Sequence, residues 1–289
     1  DYLAATPELA VLDADGVDVN IQDPVAGYSS ICNYGVYLTG ACCTGSQVRY
    51  LVESGKGWRA WGMVLRSRRR DTFQGGNLVS FDLDGSPTIL AESTTCFADL
   101  SVSEFVNGTL YGLEDGTLSL VSLDVDGNSH FIGFLTGIEN GHMVTGMSHD
   151  RTTGNTYVMS TDLSKSTLYE IDLDSGELTR PLTINDLKFV ISLMISCTGD
   201  AYVIDVNSVN LHKIDLNTGS LVGEPVLLGL DSTYLQDYDF SCGPDGFIYG
   251  IAYDGVKGVF TKINPSTGEV TPLNDLGNVE FGAFAVECV

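Results

Sequence analysis

Apolar and polar positions alternate with a period of two along most of the chain, in runs of four to eight residues separated by Gly, Asp, Asn, Ser and Thr. That pattern predicts half-buried β-strands joined by tight turns. The clearest runs are copies of one another: Leu168-Tyr-Glu-Ile-Asp172-Leu-Asp-Ser-Gly176, Leu211-His-Lys-Ile-Asp215-Leu-Asn-Thr-Gly219 and Phe260-Thr-Lys-Ile-Asn264-Pro-Ser-Thr-Gly268. Looser copies begin at Leu9, Leu78 and Leu120 and end in Asp-x-Asp-Gly. The Asp/Asn marker falls at 13, 82, 124, 172, 215 and 264, so successive gaps are 69, 42, 48, 43 and 49 residues.

Each copy has company. A second strand precedes the marker strand, at 60–65, 110–113, 156–159, 201–204 and 247–251. A third precedes that, at 47–53, 99–103, 144–148, 190–196, 236–241 and 281–287, and a fourth follows the turn. No stretch has the 3.6-residue period of a long amphipathic helix. Four antiparallel strands in a unit of about 45 residues is the blade of a β-propeller. The expectation is an all-β chain folded as a single six-bladed propeller spanning residues 1–289. Blade six combines 278–289 with 1–22, so that N-terminal strands pair with the C-terminal strand and close the ring.

Blades of the form L-Y-x-I-D-x-x-T-G resemble those of secreted bacterial propeller-repeat proteins and, more distantly, quinoprotein-like propellers. The resemblance is best over residues 150–273 and implies a fold, not an activity. Quinoprotein-like blades carry a docking Trp after the Gly; Leu178, Leu221 and Val270 stand there instead, so no quinone cofactor is implied.

Composition narrows the partners. With 14 Lys plus Arg against 38 Asp plus Glu, the net charge is −24, which disfavours nucleic acid and anionic membranes. No apolar run reaches the ~18 residues that span a bilayer. The chain starts at Asp1 without a Met or an apolar leader, as a processed mature protein would. It holds seven cysteines, no CxxC pair, and one sequon at Asn107-Gly108-Thr109, a candidate glycosylation site. These features together predict a secreted, extracellular protein, with an acidic cytosolic protein from a high-salt organism as the alternative.

Departures from the period are where function is added to a repeat fold. The 69-residue gap holds an insertion at about 23–46 with Tyr34, Tyr37 and the cysteines Cys32, Cys42 and Cys43. Beside it in sequence lies a long hairpin, Arg66-Ser-Arg68-Arg69-Arg70. Outer-to-inner connections and middle hairpins open on the same face of a propeller, so the two irregularities are expected side by side. Arg49, Lys56, Arg59, Arg66, Arg68, Arg69 and Arg70 are seven of the 14 basic residues within 22 positions. This cluster fits an acidic protein partner, a polysaccharide, a neighbouring subunit of an extracellular assembly or a processing protease; a solvated arginine-rich hairpin is the alternative. Cys32, Cys42, Cys43 and Cys96 are disulfide candidates with three possible connectivities.

Ends of the inner strands align as Ser54, Glu104, His149, Cys197, Cys242 and Cys288. A soft-metal site from His149 and the thiols is conceivable, but small buried residues between blades explain them better. Asp13, Asp15 and Asp18 are the best calcium candidates among the Asp-rich turns, which otherwise read as turn chemistry. Asp162, Asp205 and Asp254 occupy middle hairpins, where paired carboxylates would suit glycoside chemistry or calcium, and turn formers suit equally. Only four histidines exist, and no nucleophile elbow, zinc helix or phosphate loop. The favoured function is therefore a non-catalytic extracellular interaction module. The alternative is a secreted carbohydrate-active hydrolase or lyase with an acidic site at the channel mouth.

Overall fold

A computed structural model describes residues 9–12, 18–21, 59–65, 77–81, 87–88, 100–114, 117–123, 129–184, 187–230, 237–253, 257–277 and 280–287. These residues hold twenty-two β-strands and no α-helix, so none is long and apolar enough to cross a membrane. In chain order the strands are β1 (Leu9–Leu12), β2 (Asp18–Ile21), β3 (Arg59–Leu65), β4 (Asn77–Phe81), β5 (Pro87–Thr88), β6 (Leu100–Val106), β7 (Thr109–Glu114) and β8 (Ser119–Leu123). They continue as β9 (Ser129–Phe134), β10 (Met143–Asp150), β11 (Asn155–Thr161), β12 (Ser166–Ile171), β13 (Leu178–Thr183), β14 (Val190–Ile195) and β15 (Ala201–Asp205). The last are β16 (Asn210–Ile214), β17 (Leu221–Leu227), β18 (Asp237–Cys242), β19 (Ile248–Tyr253), β20 (Gly258–Ile263), β21 (Val270–Gly277) and β22 (Glu280–Glu287).

Among the described residues these make five four-stranded antiparallel sheets and one two-stranded pair, the blades of a β-propeller. Four sheets run in chain order: β6-β7-β8-β9, β10-β11-β12-β13, β14-β15-β16-β17 and β18-β19-β20-β21. The fifth is β22-β3-β4-β5. First strands pack on one another in the order β6, β10, β14, β18, β22 and back to β6.

Position in the sheet follows composition. The first strand β14 is Val-Ile-Ser-Leu-Met-Ile and buried throughout, whereas the fourth strand β13 is mostly exposed. Prolines sit in fourth strands, at Pro87, Pro181, Pro225 and Pro272, where the missing N–H faces no further strand. The apolar core lies between sheets. Val102, Leu113 and Leu120 of one blade pack with Val158 and Tyr169 of the next, and Met159 and Leu168 with Val203 and Ile214 of the one after.

Two expectations need correction. The C-terminal strand does not pair with the N-terminal strands; β22 pairs with β3, setting Ala285 opposite Trp61 and Glu287 opposite Arg59. A strand has two edges, and those of β3 are taken by β22 and β4, so the first-strand place in that sheet belongs to the C-terminus. The N-terminal hairpin does form, with Leu12 opposite Asp18, but β1 and β2 make a sheet of their own. The count of six blades falls for the same reason, because the strand meant for the sixth completes the fifth. The strand expected at 47–53 lies outside the described residues.

The recurring turn motif has a specific task. In β12–β13 the Asp172 carboxylate accepts the amides of Asp174 (2.8 Å) and Ser175 (3.2 Å), closing the turn, and Gly176 takes a φ of 78°. A Cβ on Gly176 would lie 3.0 Å from the carbonyl oxygen of Phe134 in the preceding blade, and one on Gly219 2.9 Å from that of Thr183. Gly268 is tighter still against the carbonyl of Leu227. The motif glycine is thus required twice, by its left-handed backbone and by a seam between blades.

Candidate functional site

Two polar constellations stand out, one on the propeller axis and one on a face. A first strand has one edge paired within its sheet, which leaves inward-facing amides in need of acceptors. On the axis these acceptors come from neighbouring blades. Glu104 on β6 takes the Ser148 hydroxyl (2.8 Å) and the His149 amide (3.4 Å), both on β10, at Oε2. Ser148 Oγ in turn accepts the Ile195 amide on β14 at 3.0 Å. Asp239 on β18 accepts the Phe284 amide on β22 at 2.8 Å, and the amide of Ser103 on β6. Ser241 Oγ accepts the Val286 amide at 3.2 Å. One girdle of hydrogen bonds therefore reaches all five first strands.

Glu104 and Asp239 are 5% and 6% exposed, and burial dominates their titration. Burial raises the Glu104 carboxyl to about 7, against the pull of Ser148, the Phe105 and His149 amides and the more distant Arg151. Asp239 is pushed well above the usual carboxylate range, again by burial, with the charge of Glu104 adding to the effect.

The face constellation joins the β9–β10 connection to the β11–β12 turn. Lys165 Nζ donates to both Glu139 oxygens, at 2.8 and 2.7 Å, and Thr167 adds a third bond at 3.2 Å. The buried His142 ring meets Ser160 Oγ through Nδ1 at 2.8 Å, while its Nε2 lies 3.6 Å from Glu139 and 4.0 Å from Asp162. Met143 and Leu163, about half exposed, flank it. The hydrogen bond from Lys165 holds Glu139 below its ordinary pKa, and those from Ser164 do the same for Asp162.

Serine, histidine and carboxylate are the residue types of a nucleophilic relay, but the geometry here is another one. Ser160 is fully buried, and neither carboxylate is within hydrogen-bond distance of the imidazole. Among the described residues no group of His, Cys, Asp or Glu has the arrangement of a metal site; both Glu139 oxygens already face the Lys165 ammonium. By sequence alone His142 is one of four histidines with nothing to set it apart. Its chemistry depends on Glu139, three residues earlier in a connection whose path no local pattern reveals.

The sequence candidates fare differently. Asp162 and Asp205 serve as turn caps: Asp162 Oδ1 takes the amides of Ser164 and Lys165, and Asp205 Oδ2 takes the Ser208 hydroxyl at 2.6 Å. His149 and Cys242 do not share a level with Glu104, and Cys288 lies outside the described residues. Opposite the aromatic residue of each second strand stand Glu104, Ser148, Met194, Ser241 and Ala285, because the turns into the second strands differ in length, two residues after Val106, four after Asp150 and five after Ile195 and Cys242. His149 is instead bound to Thr156 at 2.9 Å, and Cys242 is a buried thiol whose pKa burial raises. Cys197 is disulfide-bonded, with its partner outside the described residues.

His212 on β16 is buried, with no hydrogen-bond partner at Nε2. Asn107 is the exposed first residue of a two-residue turn, with φ of 52° followed by 80° at Gly108, so turn geometry by itself accounts for Asn-Gly there. Arg59 and Asp18 lie in strands β3 and β2. Tyr34, Tyr37, Arg49, Arg66, Arg68, Arg69, Arg70, Cys32, Cys42, Cys43, Cys96, Asp13, Asp15 and Asp254 lie outside the described residues.

No family model and no curated protein matches the chain. Solved structures do. A chain of a nidogen/laminin complex shares 10% identity over 80% of this chain and 98% of its own, with a TM-score of 0.51. A protein of unknown function from Bacteroides caccae shares 11% identity over 77% of this chain and 73% of its own, with a TM-score of 0.42. A catalytically inactive virginiamycin B lyase from Staphylococcus aureus, solved with quinupristin, shares 12% over 78% and 73%, with a TM-score of 0.42. At such identities the likeness is one of fold, and the fold of this chain is the β-propeller.

Proposed function

We propose that the chain is a non-catalytic extracellular interaction module that docks an acidic protein partner or glycan through the insertion at 23–46 and the Arg66–Arg70 segment. The Glu139–Lys165 ion pair carries this reading. It shows that a connection leading into a first strand and the turn between second and third strands meet on one face. The arginines at 66–70 follow β3 and precede β4, the same place in their sheet as Asp162–Lys165 in theirs. Residues 23–46 precede β3, which is a second strand, so the parallel supports the Arg66–Arg70 turn and the insertion enters the proposal on its sequence alone. The disulfide at Cys197 supports an oxidising compartment.

The test replaces Arg66, Arg68, Arg69 and Arg70 with Ser together. Retention on an immobilised sulfated polysaccharide and on an acidic polypeptide is then compared with the unaltered protein at matched ionic strength. Loss of retention on either supports the proposal; retention unchanged on both overturns it. Turnover of a glycan panel by the unaltered protein would overturn the non-catalytic part in favour of a carbohydrate-active enzyme.

A further inference from the structure

The axial girdle contains a conflict that the binding role does not use. All four carboxyl oxygens of Glu104 and Asp239 serve as acceptors: Phe105 and Phe240 amides fill the first oxygen of each, and neighbouring strands fill the second. Such an arrangement suits carboxylates. Yet both acids are buried, and Asp239, which takes the amide of Ser103 next to Glu104, feels the charge of that neighbour. Among the described residues on the strands packed against them, acids outnumber cations. On β10 and just beyond it stand His149, Asp150 and Arg151, of which Arg151 acts on Glu104 only at a distance. β14 carries no titratable side chain; β18 adds Tyr238, Cys242 and Asp237, and β22 adds Glu280 and Glu287 at its two ends. Glu114 ends β7. A single proton held by the pair relieves the repulsion, as in other close carboxylate pairs.

We propose that the axis is a proton-linked clasp: the propeller stays tight while Glu104 and Asp239 together retain a proton, and its seam at β6, β18 and β22 opens to water when both are ionised. β22 is the element set free, since its described residues meet the girdle through the backbone amides of Phe284 and Val286. Its described inward run, Ala283-Phe284-Ala285-Val286, offers no polar side chain. Hydration of two carboxylates is the driving force, because water solvates charges that burial in the axis penalises.

Residue-resolved hydrogen exchange of the intact protein at pH 5.5 and pH 8.5 tests this, after correction for intrinsic exchange. The amides of Ser103, Phe284 and Val286 are expected to lose up to about 100-fold of their protection between the two values, while those of β12 and β16 do not change. Glu104→Gln and Asp239→Asn, made separately, are each expected to abolish the difference. Protection at Phe284 that is constant, or that rises with pH as a simple carboxylate–amide bond would dictate, overturns the clasp. If either variant fails to fold, the exchange profile of the unaltered protein alone decides between these outcomes.

Discussion

Ser148 Oγ stands 2.8 Å from Glu104 Oε2 on one side and 3.0 Å from the Ile195 amide on the other, so one hydroxyl ties three blades. Replacing it with Ala leaves a buried amide without its acceptor and a buried carboxyl with one donor fewer. Each such loss costs about 1–3 kcal/mol. Ser148→Ala is therefore expected to lower stability by roughly 2–4 kcal/mol in urea denaturation at pH 6. It also moves the Glu104 titration further upward. A loss under about 0.5 kcal/mol would show that the hydroxyl is not a joint.

Glu104 also makes stability depend on pH, with a sign opposite to that of most carboxylates. Its pKa rises from 4.5 to about 7 on folding, so the folded state binds more protons between those values. Its contribution is fully present below the lower value and is lost as pH rises through the upper one, up to about 3 kcal/mol. His149 and His212 act in the other direction, since burial lowers both and they stabilise only above the ordinary histidine range. The difference between Glu104→Gln and the unaltered protein isolates the carboxyl. The variant is expected to gain relative stability steadily from pH 5 to pH 8 in thermal melts. A difference independent of pH refutes the assignment.

The seam glycines differ in what surrounds them. A Cβ at Gly268 meets the Leu227 carbonyl, whereas one at Gly154, equally left-handed at φ 81°, meets nothing within 4 Å. Gly154→Ala should cost about 1 kcal/mol, the backbone term alone. Gly268→Ala should cost upwards of about 2–3 kcal/mol, because strain and a displaced blade add. Equal losses in parallel denaturation curves would remove the seam from the account of the motif.

Phe260 joins two blades. Its ring lies 6.2 Å from that of Tyr249 in its own sheet and 5.8 Å from that of Phe284 on β22, and it is fully buried. Phe260→Ala is expected to cost about 3–5 kcal/mol and to expose β22 to limited proteolysis before the rest of the chain. Digestion that begins instead within β10–β13 would contradict that order.

On the face, Lys165→Met removes the donor that depresses Glu139. The Glu139 carboxyl is then expected to titrate at higher pH, followed by side-chain NMR, with little change in overall stability since the pair is near solvent. An unmoved titration would mean that Thr167 and the nearby His142 set it instead.

Much of this architecture is legible in the chain. The second strands expected at 110–113, 156–159 and 201–204 sit inside β7, β11 and β15, because a half-buried strand must alternate and its neighbour must turn. The turn role of Asp172, Asp215 and Asn264 was local chemistry. Levels across blades were not legible: the bulges at Ser101, Thr145 and Ser192 shift each first strand by one residue, and no periodicity announces a bulge. Glu104 shares its level with Ser148 rather than with His149 because the turn after β6 is two residues long and that after β10 is four.

Alternation and turn residues thus determined, from sequence alone, that this is an all-β chain built of repeated four-stranded units. Both are local signals, and each strand carries its own. Which strand completes which sheet was decided only in three dimensions. β22 has the same alternation whether it pairs with β3 or with the N-terminal hairpin, and a strand's edges carry no address. The choice rests on backbone hydrogen bonds between ends of the chain some 200 residues apart in sequence, and on the Asp239 and Ser241 acceptors that await the amides of Phe284 and Val286.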